Sequence, residues 1–203
     1  MSNFKKRFII SILAFPFTYI LLYQRALFNL LIIIIFLFCL YEWIKIFKKK
    51  NIIFFLGLSI LLIFLISLIR IYNLEDYNLK FLWLILITWL TDLGGYIFGK
   101  LFAGPKLIKI SPNKTWSGVV GSTILSQFAF LIFFLDVNYQ FSVYIFFSQL
   151  FLSITGQVGD LLMSYIKRKN NIKDTSNFIP GHGGFLDRTD GLIWVIIFGN
   201  IFI

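Results

Sequence analysis

The sequence predicts an all-α protein: a polytopic bundle of about six or seven transmembrane helices with a polar site at the cytoplasmic face. Three observations lead to this prediction: an apolar composition, long apolar runs and a one-sided distribution of basic residues. The chain has 203 residues, 59% of them hydrophobic, and its mean hydropathy is +0.86. A water-soluble fold has too little core volume to bury so many apolar side chains, whereas a bilayer solvates those that face outward.

The apolar runs predict the individual helices. Crossing a hydrocarbon core of about 30 Å takes about 20 residues of helix, and lipid cannot satisfy the backbone groups of an open strand. A basic stretch precedes the first run, but no small-residue cleavage site follows it, so we do not expect a removable signal peptide. The expected spans are Phe8–Tyr23, Ala26–Ile44, Ile52–Tyr72, Phe81–Gly99, Gly118–Leu135, Ser142–Met163 and a short seventh, Gly191–Ile203.

The basic residues predict the orientation of the bundle. With the N-terminus in the cytoplasm, all but three of the 19 Lys and Arg residues fall in cytoplasmic segments, the exceptions being Arg25, Arg70 and Lys80. This positive-inside bias accounts for much of the net charge of +10 without a nucleic-acid partner. No linker or repeat divides the chain, so residues 1–203 are expected to form one integral membrane domain. The single Cys39 cannot form an internal disulfide.

Ionisable residues that suggest chemistry lie between residues 91 and 190. Asp160 stands near the inner end of the sixth span, where a carboxylate costs about 2.5–3.5 kcal/mol on insertion scales and is rarely accidental. If the helix continues, Asp160, Ser164, Lys167 and Arg168 share one face. Taken alone, this stripe favours an ion pair that neutralises Asp160.

The segment that follows adds glycines and more charge. Gly183 and Gly184, next to His182, let the backbone approach a ligand and offer N–H groups to anions. Asp187 and Asp190 share a face at the expected start of the last helix, where helix capping would account for one of them. Carboxylates suit Mg²⁺, which keeps substrate phosphates in its shell, and Lys and Arg side chains neutralise phosphate oxygens. The pattern therefore favours metal-assisted phosphoryl chemistry, with a structural and a catalytic role both open for His182.

Two further elements complete the candidate site. Lys114 and Thr115 precede the fifth span, whose N-terminus would attract an anion, although an ordinary basic loop fits the same residues. Asp92, Gly95 and Gly99 share a face of the fourth span. The glycines permit close helix packing within the fold or in a dimer. Asp92 is expected to be buried against another helix, as a structural hydrogen-bond partner rather than a metal ligand.

Together these motifs resemble the signature of the phosphatidate cytidylyltransferases, also called CDP-diacylglycerol synthases. Residues 91–99 with 111–116 are similar to a second conserved region of that family. Asn113 departs from it, since a basic residue is usual there, and this leaves Lys114 to carry that position. The signature residues are Ser164-Tyr165-Ile166-Lys167-Arg168, Lys173-Asp174, Pro180-Gly181-His182-Gly183-Gly184 and Asp187-Arg188-Thr189-Asp190.

The resemblance implies an enzyme of the bacterial inner membrane that makes CDP-diacylglycerol and pyrophosphate from CTP and phosphatidic acid at its cytoplasmic face. It implies Mg²⁺ held by Asp160 and Asp187, a possible role for a second cation, and catalysis by these aspartates with Lys167 and Arg168. The lipid bilayer is an expected partner, nucleic acid is not, and a homodimer is left open. The substrate-binding set is expected to be Ser164, Lys114, Thr115, Lys173, His182, Gly183, Gly184, Arg188, Asp190 and Asp92.

Two other functions are alternatives to this one. A related CTP-dependent transferase or kinase could act on another lipid phosphate or a polyprenol, and the signature disfavours it. A transporter of a phosphorylated solute should show inverted repeats with broken helices. Here the polar residues gather in the C-terminal half of the chain instead.

Overall fold

A computed structural model describes residues 24–47, 49–108, 111–135, 142–176, 178 and 183–203. The first predicted span, Phe8–Tyr23, lies outside these residues. Helices account for most of the described chain, in agreement with the predicted class. The elements in order are α1 (Arg25–Ile46), α2 (Ile52–Tyr72), α3 (Tyr77–Phe102), β1 (Lys106–Ile108), β2 (Ser111–Thr115), α4 (Trp116–Ser126), a 3-10 segment (Gln127–Leu135), α5 (Val143–Lys169) and α6 (Leu186–Gly199).

Four helices in the described part of the chain are long and apolar enough to cross a membrane: α1, α2, α3 and α5. They correspond to the second, third, fourth and sixth predicted spans. The central helix is α3, since half of its most apolar stretch is buried within the protein, against a third for each of the others. Many other apolar side chains of these helices are exposed, as lipid contact requires, and the rest are partly buried against the core.

The fifth predicted span, Gly118–Leu135, is not one continuous α-helix. It divides into α4, with 11 residues, and the 3-10 segment. At about 1.5 Å per residue α4 alone is too short to cross a bilayer. The carbonyl of Thr123 accepts hydrogen bonds from the Ser126 hydroxyl (2.9 Å) and the Gln127 amide (3.3 Å), and side chains that compete for backbone groups in this way disturb a helix. The total of six or seven spans stays a prediction.

A two-stranded antiparallel hairpin, β1 with β2, interrupts the predicted all-α fold between α3 and α4. Its strands have three and five residues, which is too short for the alternation that reveals a strand in a sequence. Lys106 pairs with Thr115 and Ile108 with Ser111. The hairpin delivers the chain directly to the start of α4.

Glycines bring the backbones of α3 and α4 into contact. A methyl group on Gly94 would overlap the carbonyl of Gly121, and one on Gly118 would lie 2.9 Å from the carbonyl oxygen of Gly95. Gly99 faces the Thr115 hydroxyl in the same way, with 3.1 Å to an added Cβ. The small residues of the fourth span therefore pack within the fold, as one of the two predicted uses requires.

Buried hydroxyls then connect this pair of helices to α5. The Ser122 hydroxyl donates to the carbonyl of Thr91 at 2.6 Å, and the Thr91 hydroxyl donates to Ser153 at 2.9 Å. Glycines also let α5 approach α6, because a methyl group on Gly159 would overlap the Trp194 indole. These contacts hold α3, α4, α5 and α6 together around the polar residues of their adjoining ends.

Candidate functional site

The C-terminal parts of α3 and α5 meet the N-terminal ends of α4 and α6 around a cavity of about 460 Å³. This volume lies within the range of small-molecule sites, about 300–1,000 Å³. Its wall holds five aspartates and three basic residues, beside smaller groups such as Gly95, Gly118 and Ser122. The charged lining residues are Asp92, Asp160, Asp174, Asp187, Asp190, Lys114, Lys167 and Arg188.

One ion pair joins the hairpin to α5. The Lys114 ammonium donates to Oδ2 of Asp160. Both side chains remain about a third exposed, at 29% and 32%. The Ser164 hydroxyl lies 3.5 Å from Oδ1 of Asp160, at the limit of a hydrogen bond. An ion pair of Asp160 with Lys167 or Arg168 was the alternative to metal binding; in the described residues the hairpin places Lys114 beside Asp160 instead, and Lys167 pairs with Asp187.

A second ion pair joins α5 to α6. Lys167 Nζ donates to Asp187 Oδ1 at 2.6 Å, and the two side chains are only 10% and 5% exposed. The other carboxylate oxygen of Asp187 accepts the backbone N–H groups of Thr175 at 2.8 Å and Gly184 at 2.9 Å. Burial by itself would raise the pKa of Asp187, but the Lys167 ammonium and these two N–H groups outweigh it and hold the pKa below its ordinary value.

The predicted stripe of α5 is only partly correct. Lys167 turns toward α6, whereas Arg168, about 100° further round the helix, is exposed and donates to the carbonyl oxygen of Ile172 at 2.9 Å. Among the described residues, the cavity wall includes neither Arg168 nor Ser164. The exposed Lys173 is also absent from that wall, while its neighbour Asp174, which was not among the expected site residues, is part of it.

Four other predicted residues line the cavity. Asp92 lines the cavity, and no described residue donates a hydrogen bond to its carboxylate, so the expected structural hydrogen bond is not found in the described part of the chain. Arg188, in the first turn of α6, is exposed and lies at the rim of the cavity. Thr115 has a second role as the cap of α4, since its hydroxyl accepts the N–H of Gly118 at 3.1 Å. Burial and the nearby Asp160 charge raise the pKa of Asp190 above its ordinary range, although Lys167 opposes the effect.

The glycines after residue 182 shape the loop around two carboxylates. Gly183 has φ +84°, a left-handed conformation that favours glycine. A side chain on Gly184 would overlap the Thr175 hydroxyl, and the N–H of Gly184 already donates to Asp187. That N–H group is thus used within the protein rather than offered to an anion. His182 lies outside the described residues.

Glu42 is an acidic residue that was not predicted to have a role. Glu42 of α1 is 1% exposed and accepts four hydrogen bonds from the segment that leads into α6. The signal that could have found it is the one that identified Asp160: a carboxylate inside an apolar span is rarely accidental.

The side chains of the cavity wall show whether a metal ion would fit there. In the part of the chain that the structure describes, no three His, Cys, Asp or Glu side chains gather as a metal site. Asp160 and Asp187 line one cavity, and each is paired with a lysine. Magnesium commonly takes one or two protein carboxylates together with substrate phosphates and water. The residues therefore fit a metal that binds with a phosphate substrate, without a preformed cage.

Comparison with known proteins agrees with this chemistry. The chain matches the model of the cytidylyltransferase family over residues 49–203. It is 36% identical over 201 residues to the phosphatidate cytidylyltransferase of Rickettsia bellii, with 95% of this chain and 87% of the relative covered. The enzyme of the same name from Rickettsia felis is 38% identical over 205 residues, covering 95% and 88%.

A relative from another genus matches a shorter stretch of the chain. The phosphatidate cytidylyltransferase of Bacillus subtilis is 40% identical over 133 residues, covering 64% of this chain and 49% of the relative. All the residues that line the cavity fall within the segment matched by the family model. The predicted resemblance is confirmed, and the chain belongs to the cytidylyltransferase family.

Proposed function

We propose that this chain is a phosphatidate cytidylyltransferase, which transfers the cytidylyl group of CTP to phosphatidic acid and releases pyrophosphate. One observation carries the proposal: three basic side chains and five aspartates line a single cavity at the polar end of an apolar helix bundle, in the segment that matches the family. An apolar bundle suits a substrate that lies in the membrane. A charged cavity suits the phosphates that both substrates share.

In the proposed reaction, a phosphate oxygen of phosphatidic acid attacks the α-phosphorus of CTP. The bond from that phosphorus to the oxygen that bridges to the β-phosphate breaks, and pyrophosphate leaves with its electron pair. The attacking monoester is already anionic, so no strong general base is required. Charge on the phosphate oxygens is the main obstacle, and preorganised donors are the usual way to stabilise it.

The chain's own residues supply these donors. Lys114 and Lys167 are held at the cavity wall by their aspartates, and Arg188 stands at the rim. Cations fixed in this way donate to phosphate oxygens without having to be reoriented at the moment of reaction. Magnesium held by Asp160 and Asp187 would neutralise further phosphate charge. A second cation stays part of the proposal only as a further source of positive charge.

The activity test uses purified protein in detergent with labelled CTP, phosphatidic acid and Mg²⁺. We expect a labelled CDP-lipid and one equivalent of pyrophosphate, and loss of the product when the metal is chelated. Parallel reactions with a polyprenol and with a polyprenyl phosphate test the alternative acceptors. Product from these, and none from phosphatidic acid, would reassign the substrate.

The proposed orientation places the cavity in the cytoplasm, with CTP arriving from that side and the lipid entering from the bilayer. The bias of basic residues supports it. A cysteine introduced in the segment 73–78, which leads from the end of α2 into the first residues of α3, should react with an impermeant reagent added to intact cells. One introduced in the segment 169–177, which begins at the last residue of α5, should react only after lysis. The reverse pattern would put the cavity on the other side.

A further inference from the structure

Among the described residues, the most enclosed acidic side chain outside the cavity wall is that of Glu42. It lies in α1, outside the segment that matches the family model, and is 1% exposed. A carboxylate inside a membrane-crossing helix is expensive unless its surroundings satisfy it. Its partners therefore indicate what the residue is for.

Four donors satisfy Glu42, and all come from the segment around the start of α6. Oε1 accepts the Ser176 hydroxyl at 2.6 Å and the Phe185 N–H at 2.9 Å. Oε2 accepts the Thr175 hydroxyl at 2.7 Å and the Leu186 N–H at 2.7 Å. Each oxygen thus takes one hydroxyl and one backbone N–H, an arrangement that suits an ionised carboxylate because it only accepts.

Two of these bonds cap α6 from another helix. The first N–H groups of a helix have no partner within it, and the residue that precedes α6, Phe185, offers no side-chain cap of its own. Glu42 supplies the missing acceptor and places negative charge at the positive end of the helix dipole. The start of α6, where Asp187 stands, is therefore fixed by α1.

Thr175 connects Glu42 to Asp187 directly. Its hydroxyl oxygen lies 2.7 Å from Glu42 Oε2 and 3.1 Å from Asp187 Oδ2, and its N–H donates to the same Asp187 oxygen. The two carboxylates thus lie on either side of one threonine. Gly184 leaves room for this arrangement, since a side chain there would overlap both Thr175 and Glu42.

We propose that Glu42 is a positioning residue: it fixes the segment around Thr175 and the first turn of α6, and thereby holds Asp187 against Lys167 at the cavity wall. Glu42 itself is not among the residues that line the cavity in the described part of the chain. The consequence for turnover rests on the proposed function. The consequence for the local structure does not.

The first test is amide hydrogen exchange, resolved to single residues, on purified protein without CTP, lipid or metal. Glu42→Gln puts an NH₂ group where one oxygen accepted a hydroxyl and an N–H. We expect faster exchange at Phe185 and Leu186, and roughly tenfold faster exchange at the Thr175 and Gly184 amides. A hydrogen bond weakened by about 1.4 kcal/mol raises the population of the open state tenfold. The latter two amides bond to Asp187, so they report its position.

Two further variants make the test specific. Thr175→Val keeps the shape and the N–H of residue 175 and removes only the hydroxyl, whose single hydrogen is donated to Glu42 at 2.7 Å; the Gly184 amide should exchange faster in this variant too. Ser176→Ala is the matched control, since it removes a Glu42 donor that does not contact Asp187. In Ser176→Ala we expect the Thr175 and Gly184 amides to exchange at close to the wild-type rate. If Glu42→Gln does not fold, the comparison of Thr175→Val with Ser176→Ala decides.

The second test is steady-state kinetics. A positioning residue acts on a group that works in the transition state, so Glu42→Gln and Thr175→Val should lower kcat by roughly tenfold with little change in KM for CTP, while Ser176→Ala should not. Wild-type exchange at the Thr175 and Gly184 amides in both variants would overturn the proposal and leave Glu42 a helix cap alone. A wild-type protein that makes no CDP-lipid would refute the proposed function, and the exchange data would still decide the role of Glu42.

Discussion

The two lysine–aspartate pairs of the cavity differ in how firmly they are held. Lys114 and Asp160 are about a third exposed, and within the described chain Asp160 has only a 3.5 Å contact from Ser164 besides its lysine. Lys167 and Asp187 are nearly enclosed, and Asp187 also accepts two backbone N–H groups. Exposed pairs contribute little to stability, whereas breaking a buried pair leaves an uncompensated charge. The open pair, Lys114 with Asp160, can therefore exchange its partner for a ligand more easily, whereas the closed pair, Lys167 with Asp187, should contribute more to stability.

The largest effect should follow from breaking the closed pair. Asp187→Asn leaves the Lys167 ammonium buried without its counter-charge and places an amide against two N–H donors. We expect turnover to be abolished and the free energy of unfolding in detergent to fall by about 3 kcal/mol. Denaturant unfolding and CDP-lipid formation measure the two losses. If Asp187→Asn is as stable as the wild type, the Lys167–Asp187 pair does not contribute more to stability than the Lys114–Asp160 pair.

Breaking the open pair should separate activity from stability. Asp160→Asn removes the charge of a partly exposed residue, so we expect the free energy of unfolding to change by less than about 1 kcal/mol while turnover is lost. The double variant with Asp187→Asn should be little slower than either single variant, because residues that act as a unit are not additive. Substantial Mg²⁺-dependent turnover in Asp160→Asn would show that this carboxylate is not a metal ligand.

The lysine of the open pair should affect binding more than folding. Lys114→Ala removes a cation that lines the cavity, and we expect KM for CTP or phosphatidic acid to rise by roughly tenfold, the loss typical of one charge-assisted hydrogen bond. Lys173→Ala is the matched control, since that lysine is exposed and lies off the cavity wall. Equal kcat/KM values for Lys114→Ala and the wild type would make the hairpin an ordinary surface element.

The smallest effect is expected at Ser164. Its hydroxyl lies 3.5 Å from Asp160, a distance at which a hydrogen bond contributes little. Ser164→Ala should change kcat and KM by less than about threefold, as measured with the CDP-lipid assay. A large rise in KM would instead show that Ser164 contacts the substrate, as its place in the signature predicts.

The sequence predicted what depends on local composition. Long apolar runs identify membrane helices because length and hydropathy are properties of the segment itself. The charged signature contains five of the eight charged residues of the cavity wall: Lys167, Asp174, Asp187, Arg188 and Asp190. Partners across the fold were not predictable in the same way. Lys114 was expected to contact substrate, but its pairing with Asp160 depends on a hairpin whose strands are too short to detect. Arg168 and Lys167 are adjacent in sequence, and only the packing of α6 separates their roles.

Glu42 also bears on how the protein can be divided. The segment 49–203, which matches the family model, contains every residue that lines the cavity. A fragment cut at that boundary would nevertheless lose the acceptor of two backbone N–H groups at the start of α6 and of two hydroxyls before it. Those four donors would lose the carboxylate that satisfies them. For truncation or fusion, the smallest unit that keeps the catalytic face intact therefore has to include α1, whatever the extent of sequence similarity.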